Sequence, residues 1–404
     1  MRTHTYLLSL FACLMLLATD SVAQPYILRH LGIEDGLSNN YVTNIVQDSQ
    51  GCIWIATEAG LNRFNGRDFI VYNTHNSNIA GDAVTRLLYD REIDKLWIGT
   101  KTGISLLDCK TQEFEHSTPL DSIDMNNNIV SMSLAADSGI WITNHYGKII
   151  HYNRKTKKTT ELSEDNIKGL PYQHWTTFDN RKGELYVGHG NMGMSIIDLK
   201  SGSLKHYQNE PDNPKSLPGN SVYCICMDHL ENIWIGTNQG LALFNPVTEE
   251  FQNFKYEVGN PTSLLSDHVF EIKEMQDNRL WIATDIGGIS ILDLRNITFM
   301  NPKDLKFQNI TNTYDKQGLS SGNIRSLFQD SYGNIWIGNY SSGVDFISHI
   351  QPVFHTLPYM VEKGQIIKHK SVWGIHADER QQVWLGSENE IVLFRDGKLQ
   401  RKIN

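Results

Sequence analysis

A tryptophan-centred phrase returns along this chain about every forty-five residues, and a repeat of that period constrains the fold more than any other property of the sequence. It runs from Asp48-Ser49-Gln50-Gly51-Cys52-Ile53-Trp54-Ile55-Ala56-Thr57 near the start to Asp378 through Trp384 near the end. The aromatic position is filled by Trp54, Trp97, Trp141, Tyr186, Trp234, Trp281, Trp336 and Trp384, at spacings of 43, 44, 45, 48, 47, 55 and 48 residues.

Around each aromatic the same elements recur. The fifth copy shows them in full: Val222 to Met227, Asp228-His229-Leu230-Glu231, Asn232 to Thr237, Gly240 to Phe244, then Phe251 to Tyr256. Val, Ile, Phe, Tyr and Trp fill the runs while Gly, Asn, Asp and Pro fill the gaps, so each copy predicts four short strands punctuated by turns. No long stretch carries a helical period. Four-stranded units of this length, stacked through one large aromatic each, predict an all-β fold of β-propeller blades. Asp48, Asp228, Asp330 and Asp378 open the turn between first and second strands, where a carboxylate can accept from the amides ahead of it. A phrase repeated so often marks structure, so these Asp residues and the aromatics are expected to hold the repeat together.

Residues 26 to 31 resemble the fourth strands elsewhere, such as Phe69 to Tyr72, yet precede the first full repeat. The seventh repeat, Ile324 to Ile347, supplies three strands, so the N-terminal strand is expected to complete it and close a seven-bladed ring without an open edge. Residues 351–404 repeat the opening of the ring and read as the first blade of a second propeller, with a single eight-bladed ring as the alternative. A lone blade cannot bury both faces, so the chain reads as part of something longer. Met1 to Thr5, the apolar run from Tyr6 to Ala18 and Ser21-Val22-Ala23 predict a secretory signal peptide over residues 1–23, leaving the first propeller as 24–350.

A net charge of −9 without a basic run argues against a nucleic-acid partner. The fifteen His are dispersed, with no His-Glu-x-x-His, and no Cys pair has zinc spacing, so neither a metal nor another cofactor is expected. Cys52, Cys109, Cys224 and Cys226 read as small core residues.

Gly36-Leu37-Ser38-Asn39-Asn40-Tyr41-Val42, followed by the Asp48–Thr57 phrase and Gly60-Leu61-Asn62-Arg63-Phe64, resembles the two-component regulator propeller repeat. Gly318-Leu319-Ser320-Ser321-Gly322-Asn323-Ile324 with Asp330 to Gly338 resembles it equally well, and the resemblance covers residues 26 to 397. It implies the periplasmic sensor half of a hybrid two-component system of gut Bacteroidetes, in which two seven-bladed propellers precede an immunoglobulin-like domain, a membrane helix and a cytoplasmic histidine kinase. It also implies an oligosaccharide ligand, control of glycan-utilisation genes through a phosphorelay, and a homodimer formed through the longer receptor. Kinase activity and the membrane anchor would lie in C-terminal segments beyond Asn404, and no catalytic residue is expected in this chain.

The turns joining second to third strands and the loops joining blades share one face, and there the repeat varies. Most copies carry bland pairs such as Glu58-Ala59 or Asn238-Gln239, whereas the third has His145-Tyr146, the fourth His189 and Asn191, and the seventh Asn339-Tyr340. The fourth copy also places His174 and Thr177 where others are apolar, with Trp175 between them and Tyr186 for Trp. Stacking and hydrogen-bonding groups of this kind suit sugars, so His145, Tyr146, His174, Trp175, His189, Asn191, Asn339 and Tyr340 are the candidate ligand-binding residues. A drifted blade with a satisfied core histidine is the competing reading of the fourth copy. Competing functions are a protein-binding scaffold, a non-signalling remnant and a propeller glycosidase. The last is disfavoured because Arg63, Arg86, Arg181 and Arg325 are scattered and no carboxylate pair stands out.

Overall fold

The structure, a computed structural model, describes residues 28–116, 118, 120, 128–297, 305–312, 318–349, 361–362, 365–366, 372–378, 382–387, 391–395 and 398–403. The signal peptide read over 1–23 lies outside them, as do residues 351–360, with which the blade read over 351–404 opens. The chain divides into two compact units, Met1–His349 and Ile350–Asn404.

The first unit is seven antiparallel sheets in chain order. Blade one comprises Val42–Gln47, Ile53–Thr57, Gly60–Phe64 and Phe69–Tyr72, and blade two Val84–Asp90, Lys95–Thr100 and Ile104–Asp108. Blades three to six begin with the inner strands Ile129–Leu134, His174–Asp179, Val222–Met227 and Val269–Glu274, and each has four strands. Blade seven is Ile324–Gln329, Ile335–Asn339 and Val344–Ile347, and its outer place is taken by Leu28–Leu31, antiparallel to Val344–Ile347 with His30 opposite Asp345.

Blade two departs from the four strands expected of every copy. Past Asp108, whose carboxylate accepts from the amides of Lys110 and Thr111, the outer position is a single bridge between Leu107 and Phe114. Gln112-Glu113-Phe114-Glu115-His116 offers only Phe114 to the apolar interface, edge-on to Tyr72 at 5.8 Å.

The core is one apolar cluster per junction, in which the repeated aromatic of one blade packs on the sheet of the next. Trp54 meets Val84, Leu96 and Ile98; Trp97 meets Ile140 and Ile142; Trp141 meets Leu185 and Val187. Tyr186, Trp234 and Trp281 repeat the pattern, and Trp336 packs on Val42, Ile53 and Ile55 of blade one, which completes the ring. Truncating such an indole would cost on the order of 3–5 kcal/mol.

In blades one, five and seven the aspartate turn ties the indole down at its polar edge. One oxygen of Asp48 accepts from the amides of Gln50 and Cys52, and the other from Trp54 Nε1 at 2.8 Å. Asp228 and Asp330 do the same for Trp234 and Trp336, at 2.9 and 3.0 Å.

The second unit contains a four-stranded sheet, Val372–Ala377, Gln382–Ser387, Ile391–Arg395 and Lys398–Ile403, with Trp384 on its second strand. Asp378 accepts from the amide of Gln382, as in the ring blades. Trp373 and Ile375 of this sheet are 73% and 72% exposed.

Candidate functional site at the mouth of the ring

In every blade the ladder between first and second strands skips one inner-strand residue just after its first pair: Thr43, Thr85, Val130, Trp175, Tyr223, Phe270 and Arg325. A bulge leaves the extra residue unpaired and re-aims its side chain. All of these except Thr85 line one cavity of about 370 Å³, together with Tyr41, Arg86 and His145. That volume falls in the range of small-ligand sites, roughly 300–1,000 Å³.

A second register column caps the first. In blades two to seven the residue that opens the second-to-third-strand turn donates its amide to the residue preceding the inner strand: Lys101 to Ala83, His145 to Asn128, Gly190 to Gln173, Asn238 to Ser221, Asp285 to His268 and Tyr340 to Asn323. His145 and Tyr340 therefore stand over the bulged column. Blade four has Gly190 there, where a Cβ would sit 3.0–3.2 Å from the Trp175 indole, so glycine lets that indole lie flat on the turn.

The side chains form an arc. Trp175 and Tyr223 stack at 5.1 Å and 12°, and Tyr223 and Phe270 at 4.6 Å and 27°. The Arg325 guanidinium carbon lies 3.6 Å from the Phe270 ring centre and 4.8 Å from that of Tyr340, which in turn packs on Tyr41 at 4.5 Å. Arg325 Nη2 lies 3.5 Å from Asp285, while its buried Nη1 has no hydrogen-bond partner. Deeper in the ring, Arg86 donates to the Thr85 carbonyl, and Glu271 accepts from the amide of Leu327. Burial pushes the Tyr41 hydroxyl and the Glu271 carboxyl above their ordinary ranges, with Arg325 and Arg86 opposing the first, and Lys273 and Arg86 among the groups opposing the second.

Of the candidate residues, Trp175 and His145 line the cavity, and Tyr340, 43% exposed, stands at its rim against Arg325. Tyr146 is 71% exposed beside His145, and Asn191 is exposed on the blade-four turn; neither lines the cavity. His174, His189 and Asn339 are 1%, 0% and 0% exposed and sit inside their blades, because they occupy the first ladder pair, where blade five has Val222 opposite Thr237. His174 Nδ1 meets His189 Nδ1 at 3.1 Å, His189 Nε2 meets Ser195 Oγ at 2.8 Å, and Ser195 Oγ meets His206 Nδ1 at 3.0 Å. Asn339 Nδ2 donates to Asp345 and to the Gly343 carbonyl. Thr177 meets Ser131 of blade three.

Tyr41, Arg86, Tyr223, Phe270 and Arg325 are not singled out by the copy-by-copy comparison. For Tyr223, Phe270 and Arg325 the signal is vertical: aligned one place after the first residue of each inner strand, the residues change from Thr43, Thr85 and Val130 to Trp175, Tyr223, Phe270 and Arg325.

A larger cavity of about 630 Å³ lies at the Asp-turn face, between blades seven and one. Of its polar wall, Asp330 is engaged, accepting from Tyr332, Asn334 and Trp336, while Arg29 and Arg67 are exposed. The mouth, with an aromatic arc and a buried cationic donor, is the better candidate. Among the described residues no three His, Cys, Asp or Glu side chains are grouped to hold a metal ion, and no helix is long and apolar enough to cross a membrane.

Among known proteins, residues 36–59, 216–239 and 318–341 match the two-component regulator propeller family. The solved extracellular domain assigned to a hybrid two-component system of B. thetaiotaomicron is 36% identical with a TM-score of 0.71, over 94% of this chain and 49% of that one. A second such domain from the same organism is 20% identical with a TM-score of 0.64, over 92% of this chain and 46% of that one, a likeness of fold alone. Histidine kinase P4 of Formosa agariphila is 25% identical over 121 residues, 29% of this chain and 9% of that protein. The chain thus spans about half the length of these solved domains and a small part of the kinase. It is a β-propeller protein, three segments of which match the two-component regulator propeller repeat, similar in sequence and fold to the extracellular domain of a hybrid two-component system.

Proposed function

We propose that this propeller is the extracytoplasmic, periplasmic ligand-sensing part of a two-component signalling receptor, and that it binds an oligosaccharide at the mouth of the ring. The observation that carries the reading is the arc Trp175–Tyr223–Phe270, an apolar wall flanked by the polar groups of Arg325, Tyr41 and His145. Sugars offer C–H faces to such a wall and hydroxyls to its ends, and a concave, largely apolar site with a few placed polar groups is the usual form of a small-ligand pocket. The sequence likeness to a sensor's extracellular domain supports the placement outside the cytoplasm. In this reading residues 351–404 open a second propeller, and the kinase, membrane anchor and any dimer contact belong to the longer receptor.

The test is calorimetric titration of the exported chain, residues 24–404, with oligosaccharides from plant and host polysaccharides, repeated on Trp175→Ala and Tyr223→Ala. Loss of one central aromatic contact should cost about 2 kcal/mol or more, roughly thirtyfold in Kd. Both variants should melt within a few degrees of the unaltered chain, since both side chains are only partly buried. Binding unchanged in both would move the ligand away from the mouth.

A further inference from the structure

The cavity wall contradicts the charge of the molecule that carries it. The chain has a net charge of −9, yet the nine residues around the mouth include Arg86 and Arg325 and no carboxylate. We infer that the ligand is anionic: resting on the proposed sugar-binding function, the mouth selects an oligosaccharide bearing a carboxylate or sulfate, which Arg325 receives at the end of the aromatic arc.

Arg325 is held for this purpose. Its guanidinium lies on Phe270 and beside Tyr340, so its plane is set by packing on two rings. Asp285 lies on the Nη2 side at 3.5 Å, too long for a strong charge-assisted bond, and Nη1 is buried with no partner. A buried guanidinium nitrogen without an acceptor is costly to leave unmade and strongly favours a ligand that supplies one. Of the nearby carboxylates only Asp285 faces Arg325; Glu58 pairs with Lys101 at 2.7 Å, and Glu271, below the mouth, accepts from the Leu327 amide and faces Arg86. Arg86 adds a second positive charge on the same wall. A neutral sugar would satisfy the arc but bring no charge to the Arg325 guanidinium, whereas an acidic one completes it.

The experiment titrates the 24–404 chain with two sets of fragments, acidic ones from pectin, alginate and chondroitin sulfate, and neutral ones from mannan, xylan, starch and fructan. Any acidic hit is then compared with its carboxyl-reduced or desulfated counterpart, which also distinguishes a carboxylate from a sulfate. The expected result is an acidic hit whose neutralised counterpart binds at least tenfold more weakly, with Arg325→Gln abolishing that difference and Arg325→Lys retaining part of it. Hits among neutral fragments only would overturn the anionic selectivity and leave the sugar site standing. No hit in either set would remove both. An acidic hit that Arg325→Gln leaves unaltered, at an unchanged melting temperature, would also overturn the role of Arg325. Should that variant be unstable, equal affinity of the unaltered chain for acidic and neutralised fragments decides against the inference by itself.

Discussion

Asp228 shows how one carboxylate organises a turn and an interface together. It is 3% exposed and accepts from Leu230 N, Asn232 N, Asn232 Nδ2 and Trp234 Nε1. Asp228→Ala strands buried donors, at about 1–3 kcal/mol each where water cannot reach them, so a total loss of roughly 2–4 kcal/mol in urea unfolding is expected, with Asp228→Asn costing less because one acceptor survives. The amide-accepting role of this Asp was legible in the sequence for blades one, five and seven; its bond to the indole six residues on was not. Blade three has Ala135 at that place, and its Trp141 Nε1 instead reaches Asp179 of blade four at 3.0 Å. Asp179 ends the inner strand of blade four one place before Asn180, which opens the turn there and accepts from the amides of Lys182 and Glu184, while Tyr186 turns its hydroxyl to Glu184 at 3.3 Å. The Asp absent from blade three is thus answered by a carboxylate of the next blade, and a linear repeat carries no sign of that pairing.

At the level of the blade, the histidines of the fourth repeat are a polar plug inside a ladder. Burial holds His174 down to about 4 and His189 to about 2, so both are neutral in the folded chain at ordinary pH. The unfolded chain takes up these protons near the ordinary histidine value, about 6.5. Their contribution to stability is therefore complete above that value and is lost as pH falls from it towards the folded values. Restoring the apolar pair of the other blades with His174→Val and His189→Thr should flatten the melting temperature between about pH 6.5 and pH 4 relative to the unaltered chain. An unchanged acid slope would show that other groups govern it. Polarity at these positions was plain in the sequence, but its meaning was not, because a residue in the first ladder pair points into the blade while its bulged neighbour points into the mouth. Trp175 was found for its chemistry. Tyr223 and Phe270 were missed because an aromatic in a strand reads as core unless the bulge is known.

The ring as a whole depends on a four-residue strand. Leu28–Leu31 supplies the outer ladder of blade seven, and His30 Nδ1 lies 3.2 Å from Asp345 Oδ1, which also receives Ser320 and Asn339 on its other oxygen. The hydrogen bond to Asp345 raises the His30 pKa above its ordinary value against partial desolvation. That contribution is fully present below the unfolded pKa and is lost as pH rises through the folded one. His30→Gln should therefore lower the melting temperature more at about pH 5 than at about pH 9. Removing residues 24–32 should be far more damaging, exposing the edge of Val344–Ile347 and giving self-association by light scattering at micromolar protein. The number of blades in the ring was legible because the aromatic count and the outer-strand likeness of residues 26 to 31 agree. The three-stranded form of blade two was not, since Phe114 alone satisfies the junction there.

This closure has a consequence for the order of events when the protein is made. His30 and Asp345 are 315 residues apart, and every other blade pairs strands that are neighbours along the chain. Six sheets can thus assemble one after another as the polypeptide emerges, while the first strand waits unpaired for the last. Contacts this distant form late and slowly. The open ring, with one bare sheet edge and a solvated Trp336 junction, is the state in which the chain is most exposed to proteases and to its own copies.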